Sequence, residues 1–119
     1  MVRVLVIEDD PSTARLLDVC LARMGLSVTL AAAGFEALIR LRDEAFDAVV
    51  LDLKLPDIDG FSLLRRIRAN PAFERTPIFV VTAMEGDSVI FRAYEAGADM
   101  FLQKPFNPRE IAVALGGSV

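Results

Sequence analysis

Short apolar runs alternate with longer segments of helical spacing along nearly the whole chain, and this alternation restricts the fold more than any other feature. Strands that are covered on both faces are apolar at consecutive positions rather than at alternate ones. Five runs fit that description: VRVLVIE (2–8), SVTLAA (27–32), DAVVLD (47–52), PIFVVTA (77–83) and DMFLQK (99–104). The connecting segments are long enough to cross over between parallel strands. The sequence therefore predicts a parallel sheet with helices on both of its faces.

The connecting segments also contain residues that begin or end helices. Pro11 and Ser12 can begin the first helix and Gly25 can end it, while Asn70 precedes Pro71 and should end the third. Apolar residues recur at helical spacing at Leu16, Leu17, Cys20, Leu21 and Met24, then at Phe35, Leu38 and Leu41, and then at Phe61, Leu64 and Ile67. The single cysteine lies on the first of these stripes, and we predict that it belongs to the core.

The length and the order of elements predict one domain, 1–119, with a (βα)5 chain. The common solution for five strands is a flavodoxin-like α/β sandwich of three layers with strand order 2-1-3-4-5. Its ligand site lies beyond the carboxyl ends of the strands, where the order switches between the first and the third strand. We therefore expect the functional residues at that edge of the sheet.

Composition excludes several classes of protein. The net charge of -4 and the lack of a basic cluster argue against nucleic-acid binding by this segment. With no histidine and one cysteine, the chain can hold neither a Cys/His zinc site nor a Ser-His-Asp triad. The first apolar run is too short for a signal sequence or a membrane span, which predicts a cytoplasmic protein without a membrane contact. The chemistry of the chain must therefore rely on carboxylates, hydroxyls, amines and a hard metal ion.

Acidic and polar residues follow the predicted strands. Because parallel strands bring their carboxyl ends to one edge, these residues should meet there: Glu8, Asp9 and Asp10 from the first strand, Asp52 from the third, Thr82 from the fourth and Lys104 from the fifth. Each residue alone also has an ordinary structural explanation. Asp10 or Ser12 can cap a helix, and Asp57 and Asp59 with Gly60 are good turn residues. The joint arrangement nevertheless predicts a site.

Repulsion between the carboxylates means that such a cluster needs positive charge close to it. Two carboxylates about 4 Å apart repel by roughly 4 kcal/mol at an effective dielectric constant near 20. Lys104 supplies one positive charge, which leaves room for a divalent cation, and oxygen ligands favour Mg2+. Lysine occurs only at positions 54 and 104, both beside this edge, and a lysine ammonium suits a phosphate oxygen or an aspartate. These groups together can handle a phosphoryl group.

Several segments together resemble the receiver domain of two-component response regulators: VLVIEDDPSTARLL, VVLDLKLPDIDGFSLLRRIR, PIFVVTA, AYEAGADMFLQKPF and NPREI. The resemblance runs from about residue 2 to residue 113. It implies that Asp52 is the phosphoacceptor. It also implies that Glu8, Asp9 and Asp52 hold Mg2+ with the backbone carbonyl of Lys54. The loop LKLPDIDG then shapes the edge, so Asp57 is expected to be structural rather than chemical.

The resemblance assigns roles to the remaining residues of the edge. Thr82 is expected to bind a phosphoryl oxygen, and Lys104 is expected to pair with the phosphate and to precede a cis peptide with Pro105. Phe101 occupies the position of the aromatic switch of the family. The positions that tune hydrolysis of the aspartyl phosphate in the family are Lys54 and Met84 here.

The function implied by the resemblance is transfer of a phosphoryl group from a phosphohistidine to Asp52, followed by hydrolysis. Because this chain has no histidine, the donor must be another protein, a sensor histidine kinase or a histidine phosphotransferase. Such a domain catalyses its own phosphorylation and dephosphorylation rather than many turnovers of a substrate. The added charge should shift an equilibrium at the face formed by the fourth helix, the fifth strand and the fifth helix, called the output face below.

The output itself is left open by the sequence. One interpretation is an apolar surface for a homodimer or an effector, and the other is a broad helix that faces the core, formed in either case by Val89, Ile90, Phe91, Tyr94, Met100 and Phe101. Receivers joined to winged-helix domains tend to pair charges across this face, but Met100, Ala114 and Leu115 stand at the positions concerned. The last helix is predicted to end at Gly116 and Gly117, in a fragment of a larger regulator or in a protein that works alone.

Three other functions share parts of this pattern. A haloacid-dehalogenase-like phosphohydrolase also uses an aspartate, a threonine, a lysine and Mg2+, but it needs an Asp-x-Asp motif and the chain has Asp52-Leu53-Lys54. A flavodoxin-like nucleotide or flavin binder has glycines in the loop after the first strand, where this chain has acids. The third is a non-phosphorylated pseudo-receiver that acts purely as a binding module, and the intact set of site residues argues against it.

Overall fold

The structure, a computed structural model, describes residues 1–116 and contains one parallel sheet. Its strands are β1 (Arg3–Ile7), β2 (Ser27–Ala31), β3 (Ala48–Leu51), β4 (Ile78–Thr82) and β5 (Met100–Gln103). They run in the order β2-β1-β3-β4-β5, which confirms the flavodoxin-like fold and its 2-1-3-4-5 order. Each strand is one residue shorter than predicted at one or both ends, so that Asp52 and Lys104 lie just beyond β3 and β5. Residues 117–119 of the predicted domain lie outside the described residues.

The helices follow the predicted signals closely. They are α1 (Pro11–Arg23), α2 (Gly34–Asp43), α3 (Gly60–Ala69), α4 (Asp87–Ala96) and α5 (Pro108–Ala114), with a short 3-10 helix at Pro71–Phe73 that the sequence did not predict. Helix α1 begins at Pro11 and α3 ends just before Asn70, as expected. Helix α5 ends at Ala114, before the predicted end at Gly116 and Gly117, and Gly117 lies outside the described residues.

Two apolar layers cover the sheet, one on each face. One layer joins Leu17 and Leu21 of α1 with Ile111 of α5, and the other joins Phe61, Leu64 and Ile67 of α3 with Val89 of α4 and Leu41 of α2. The central strands β3 and β4 are fully buried, whereas the edge strands β2 and β5 are only partly covered. This arrangement explains the consecutive apolar residues of the central strands.

The buried faces of α1 and α2 are narrower than the predicted stripes. Leu16 is 45% exposed and Phe35 is 54% exposed, and Cys20 is half-buried rather than in the core. Adjacent residues of an α-helix lie about 100° apart, so a stripe that includes both Leu16 and Leu17 is wider than the face that the sheet can cover. Spacing alone therefore predicted more buried positions on α1 and α2 than the structure has.

No helix within residues 1–116 combines the length and the apolar character that crossing a lipid bilayer would require.

Candidate functional site

The carboxyl ends of β1 and β3 lie side by side and bring two acidic residues together. Ile7 is the register partner of Leu51, and the N–H of Asp52 donates to the carbonyl of Ile7 at 3.0 Å. The residues that follow the two strands, Glu8 and Asp52, are only 3% and 4% exposed. The sheet therefore holds two carboxylates at the point where the strand order switches.

A third carboxylate joins this pair. One oxygen each from Glu8, Asp9 and Asp52 lie within 4.8 Å of one another, and the side chain of Asp9 is exposed. Asp10 has a structural role instead, because its Oδ2 accepts hydrogen bonds from the N–H and the hydroxyl of Thr13 at 3.1 and 2.7 Å and so caps α1. The acidic residues after β1 thus divide into two that line the cluster and one that caps a helix.

Lys104 lies against both buried carboxylates. Its Nζ is 2.8 Å from Oδ2 of Asp52 and 2.7 Å from Oε1 of Glu8, and its side chain is 19% exposed. The peptide bond between Lys104 and Pro105 is cis, as the family resemblance implied. One ammonium group therefore serves two carboxylates, which leaves the cluster with excess negative charge.

The pKa values of the buried groups reflect this balance. Burial raises the pKa of Glu8 to about 7, even though Lys104 and the N–H of Asp10 favour its ionised form. Burial also acts to lower the pKa of Lys104, but the hydrogen bonds and charges of Asp52 and Glu8 outweigh it and hold that pKa above its usual value. The lysine is therefore fully charged at neutral pH, whereas Glu8 is partly protonated when no cation is bound.

The carboxylate oxygens at this edge are suitable ligands for a hard divalent cation. Oε1 of Glu8 is buried, and among the described residues its polar neighbour is the ammonium of Lys104, 2.7 Å away, which Asp52 shares. One ammonium beside three clustered carboxylates leaves negative charge that a divalent cation would offset. Carboxylate oxygens are the ligands that Mg2+ prefers.

The other predicted residues lie around this cluster. Thr82 ends β4 and is fully buried, and its Oγ1 accepts the N–H of Met84 at 3.2 Å, while its carbonyl accepts the N–H of Lys104 at 2.8 Å. The N–H of Lys54 donates to Oδ1 of Asp52 at 3.1 Å. Phe101 lies in β5, half-buried, and its N–H donates to the hydroxyl of Tyr94 at 3.1 Å. The predicted site residues thus lie on neighbouring strands and on the loops that follow them.

The structure adds one contact that sequence reasoning missed. Asp57 accepts the N–H of Gly34 at 2.8 Å and that of Phe35 at 2.9 Å, so that it joins the loop after β3 to the beginning of α2. The hydrogen bond from Phe35 is the main reason why the pKa of Asp57 lies below its usual value. The available signal was the run AAA (31–33) before α2, which has no side chain that could cap that helix.

The output face exposes large apolar side chains. Phe91 is 66% exposed, and Ile90 and Tyr94 of the same helix are exposed as well, whereas Val89 is buried. Met100 and Phe101 of β5 are half-buried. The segment was interpreted either as an apolar surface or as a helix that faces the core. Ile90, Phe91 and Tyr94 form an exposed apolar surface, whereas Val89 faces the core.

The fold and the site together define a flavodoxin-like domain with an acidic cluster at the switch of its strand order. The sequence model of the response regulator receiver domain matches residues 4–116. The chain therefore belongs to the family of response regulator receiver domains, which act in two-component signalling.

Relatives of known name agree with this family. The chain is 39% identical to the transcriptional regulatory protein AfsQ1 of Streptomyces coelicolor over 92% of its length and 47% of that protein. It is 40% identical to the transcriptional regulatory protein GltR of Pseudomonas aeruginosa over 91% of its length and 45% of that protein. The chain spans about half the length of the curated relatives it matches.

Solved structures show the same similarity. The chemotaxis protein CheY4 of Vibrio cholerae has a TM-score of 0.89 at 29% identity, with 98% of this chain and 97% of that chain covered. A response regulator of Chloroflexus aurantiacus has a TM-score of 0.88 at 36% identity, with 95% and 93% covered.

Proposed function

We propose that the carboxylate of Asp52 accepts a phosphoryl group from a phosphohistidine on a sensor histidine kinase or a histidine phosphotransferase. An oxygen of Asp52 forms the new P–O bond, the P–N bond of the donor breaks, and its electron pair stays on the imidazole nitrogen. The observation that carries this proposal is the ammonium of Lys104, which lies 2.8 Å from Asp52 and 2.7 Å from Glu8 in a nearly buried cluster. A buried carboxylate at the end of a rigid strand is held in place for in-line attack.

Mg2+ is the proposed cofactor, held by Glu8, Asp9, Asp52 and the backbone carbonyl of Lys54. When bound, it neutralises charge on the oxygens of the phosphoryl group as the group is transferred. The approach of one carboxylate oxygen each from Glu8, Asp9 and Asp52 to within 4.8 Å of one another supports this assignment. The excess negative charge of the cluster supports it as well.

Lys104 and Thr82 are the proposed ligands of the phosphoryl group. The ammonium of Lys104 would move from the carboxylate of Asp52 to a phosphoryl oxygen, a short displacement for a flexible side chain. The hydroxyl of Thr82 accepts the N–H of Met84 and keeps its own hydrogen for a phosphoryl oxygen. Hydrolysis would follow when water attacks phosphorus and the P–O bond to Asp52 breaks, which yields inorganic phosphate and the free carboxylate. Lys54 and Met84 are proposed to set the rate of that step.

Phosphorylation is proposed to change the output face through Thr82 and Phe101. A phosphoryl group adds about 1.5 to 2 negative charges. Movement of Thr82 toward it would vacate space for the ring of Phe101, which is half-buried in β5. The exposed Phe91 and its neighbours on α4 would then bind a second copy of the chain or an effector. We place this exchange between proteins in the cytoplasm, without direct contact of this segment with nucleic acid or membrane.

The test is labelling by acetyl phosphate in the presence of Mg2+, read by intact-mass measurement and by identification of the modified residue. Wild-type protein should gain one phosphoryl group on Asp52, and Asp52→Asn should gain none. Asp43→Asn, which removes an exposed carboxylate of α2, is the matched control and should be labelled like the wild type. Full labelling of Asp52→Asn would refute the assignment, and steady turnover of p-nitrophenyl phosphate would favour a phosphohydrolase instead.

A further inference from the structure

Asp57 caps a helix that lies far from it in sequence. Its two carboxylate oxygens accept the N–H groups of Gly34 and Phe35 at 2.8 and 2.9 Å, across 23 and 22 residues. Ala33, the residue before α2, makes no side-chain hydrogen bond to the helix. Asp57 therefore supplies the cap that the local sequence lacks, and in doing so it fastens the loop between β3 and α3 to α2.

Apolar contact between the loop and α2 accompanies these hydrogen bonds. A β-carbon at position 34 would overlap Cγ2 of Ile58, so the first turn of α2 lies directly on the loop only because Gly34 has no side chain. Ile58 is partly buried and packs against the core. The junction between the loop and α2 is thus a built contact rather than a single surface hydrogen bond.

Within residues 1–116, the other hydrogen bonds at the start of the loop do not include the carbonyl of Lys54. The N–H of Lys54 donates to Asp52, and the carbonyl of Leu53 accepts the N–H of Gly60 at 3.1 Å. Both bonds involve groups that precede the carbonyl of Lys54. The next polar side chain along the loop is Asp57, and Pro56, whose φ angle is fixed, precedes it directly. An anchor at Asp57 therefore restricts the peptide that carries the Lys54 carbonyl.

We propose that Asp57 is a positioning residue for the cation site: by fastening the loop to α2, it holds the carbonyl of Lys54 where a divalent cation can bind it. The inference rests on the proposed function, in which that carbonyl is a ligand. Asp57 itself contacts neither the cation nor the phosphoryl group. Loss of a supporting contact to a metal ligand typically lowers metal affinity about 10- to 100-fold, and we expect about tenfold, since Asp57 acts through the backbone.

The test compares Mg2+ binding by calorimetry in the wild type, Asp57→Ala, Asp57→Asn and Ile39→Gly. Asp57→Ala should weaken Mg2+ binding about tenfold. Asp57→Asn keeps one carbonyl acceptor and should restore part of the affinity. Ile39→Gly is the matched control, because it weakens α2 at an exposed position without removing the contact of Asp57. If the stability of α2 alone does not affect the cation site, this variant should bind Mg2+ with an affinity within about twofold of the wild type.

Hydrogen exchange gives a second readout that a merely structural cap would not change. If the contact of Asp57 strengthens Mg2+ binding, then by thermodynamic linkage Mg2+ must stabilise that contact by the same factor. Mg2+ should therefore protect the amides of Gly34 and Phe35 from exchange by the factor by which loss of the contact weakens Mg2+ binding. Equal Mg2+ affinity of Asp57→Ala and the wild type would overturn the inference while leaving the proposed function intact. Equal weakening by Ile39→Gly would also overturn it. Failure of the wild type to bind Mg2+ would overturn both.

Discussion

The ammonium nitrogen of Lys104 lies 2.8 Å from Oδ2 of Asp52, a residue 52 positions earlier in the chain. The same nitrogen lies 2.7 Å from Oε1 of Glu8, whose side chain has no exposed surface. The three groups come from the ends of β5, β3 and β1, so the parallel sheet creates a cluster that no local segment could form. Its single cation balances only part of the negative charge, and both the stability of the domain and its cation binding should depend on that imbalance.

Loss of the Lys104 ammonium should destabilise the metal-free domain in a manner that depends on pH. Breaking a buried ion pair costs about 3–5 kcal/mol when a charge is left behind. In Lys104→Met we expect a loss of about 2–4 kcal/mol at pH 8, and a smaller loss at pH 5.5, where Glu8 can take up a proton. Urea unfolding followed by circular dichroism measures both values. Addition of Mg2+ should recover part of the loss at pH 8, whereas an equal loss at both pH values would contradict this account.

Glu8 should make the metal-free domain less stable as the pH rises. Burial raises its pKa from 4.5 to about 7 in the folded state, so the folded protein holds a proton that the unfolded chain releases. The stability that this proton contributes is complete below about pH 4.5 and is lost as the pH rises to about 7. The total is about 3 kcal/mol at most. Unfolding in EDTA across this range measures it.

Two variants separate this effect from general changes in charge. Glu8→Gln cannot ionise, so its stability relative to the wild type should increase between pH 5 and pH 7.5. Glu95→Gln, which removes an exposed carboxylate of α4, should follow the pH dependence of the wild type. With Mg2+ present the trend of the wild type should reverse, since a cation binds the ionised carboxylate. A stability difference for Glu8→Gln that does not change with pH would be inconsistent with a buried, protonated Glu8.

The fold could be predicted from the sequence because its signals are local. Consecutive apolar residues reported the buried strands β3 and β4, and Pro11, Gly25 and Asn70 reported helix ends. Once the strands are parallel, topology alone brings Glu8, Asp52 and Lys104 to one edge. The residues of the cluster were therefore predictable, although none of the contacts between them is local.

The details that sequence reasoning missed depend on distances between segments. Phe35 has helical spacing but is exposed, because spacing reveals an apolar stripe and not how much of it the sheet can cover. Asp57 was interpreted as a turn residue, and its bonds to Gly34 and Phe35 follow only from the approach of α2 to the loop. The lack of a capping residue before α2 was visible, but nothing in the sequence identified the residue that replaces it.

Gly60 should be required for the loop after β3 because of space rather than backbone conformation. A β-carbon at position 60 would overlap the Cα and the carbonyl oxygen of Leu53. The N–H of Gly60 also donates to that carbonyl. Gly60→Ala should lower the free energy of unfolding by about 1–3 kcal/mol and weaken Mg2+ binding. Gly25→Ala is the contrasting variant, with a φ of +90° and open space around it, and should cost about 1 kcal/mol without an effect on Mg2+. Equal Mg2+ affinity in both variants would speak against a role of the loop in the site.

Arg68 should be hard to replace because its guanidinium joins three segments. It donates to the carbonyls of Phe73, Glu74 and Thr76 after α3, to the carbonyl of Gly97 at the end of α4, and to Oδ2 of Asp99 before β5. Arg68→Ala should lower the free energy of unfolding by about 2–4 kcal/mol, since it leaves partly buried carbonyls without donors. Arg68→Lys should recover less than half of this loss, because an ammonium cannot match the planar fork. The exposed Arg65→Lys is the control, and thermal unfolding that ranks the two lysine variants together would contradict the argument.

Phe91 should decide whether the output face joins two copies of the chain. It is 66% exposed beside Ile90 and Tyr94, and the hydroxyl of Tyr94 accepts the N–H of Phe101, the proposed switch residue. A change at Phe101 would therefore reach this apolar surface directly. Light scattering with Mg2+ and beryllofluoride, a mimic of the phosphoryl group, should show a dimer for the wild type and a monomer for Phe91→Glu. Phe35→Glu, which changes an equally large exposed ring on α2, should still dimerise. A wild-type protein that is monomeric both with and without beryllofluoride would exclude the homodimer and leave an effector as the partner of this apolar surface on α4.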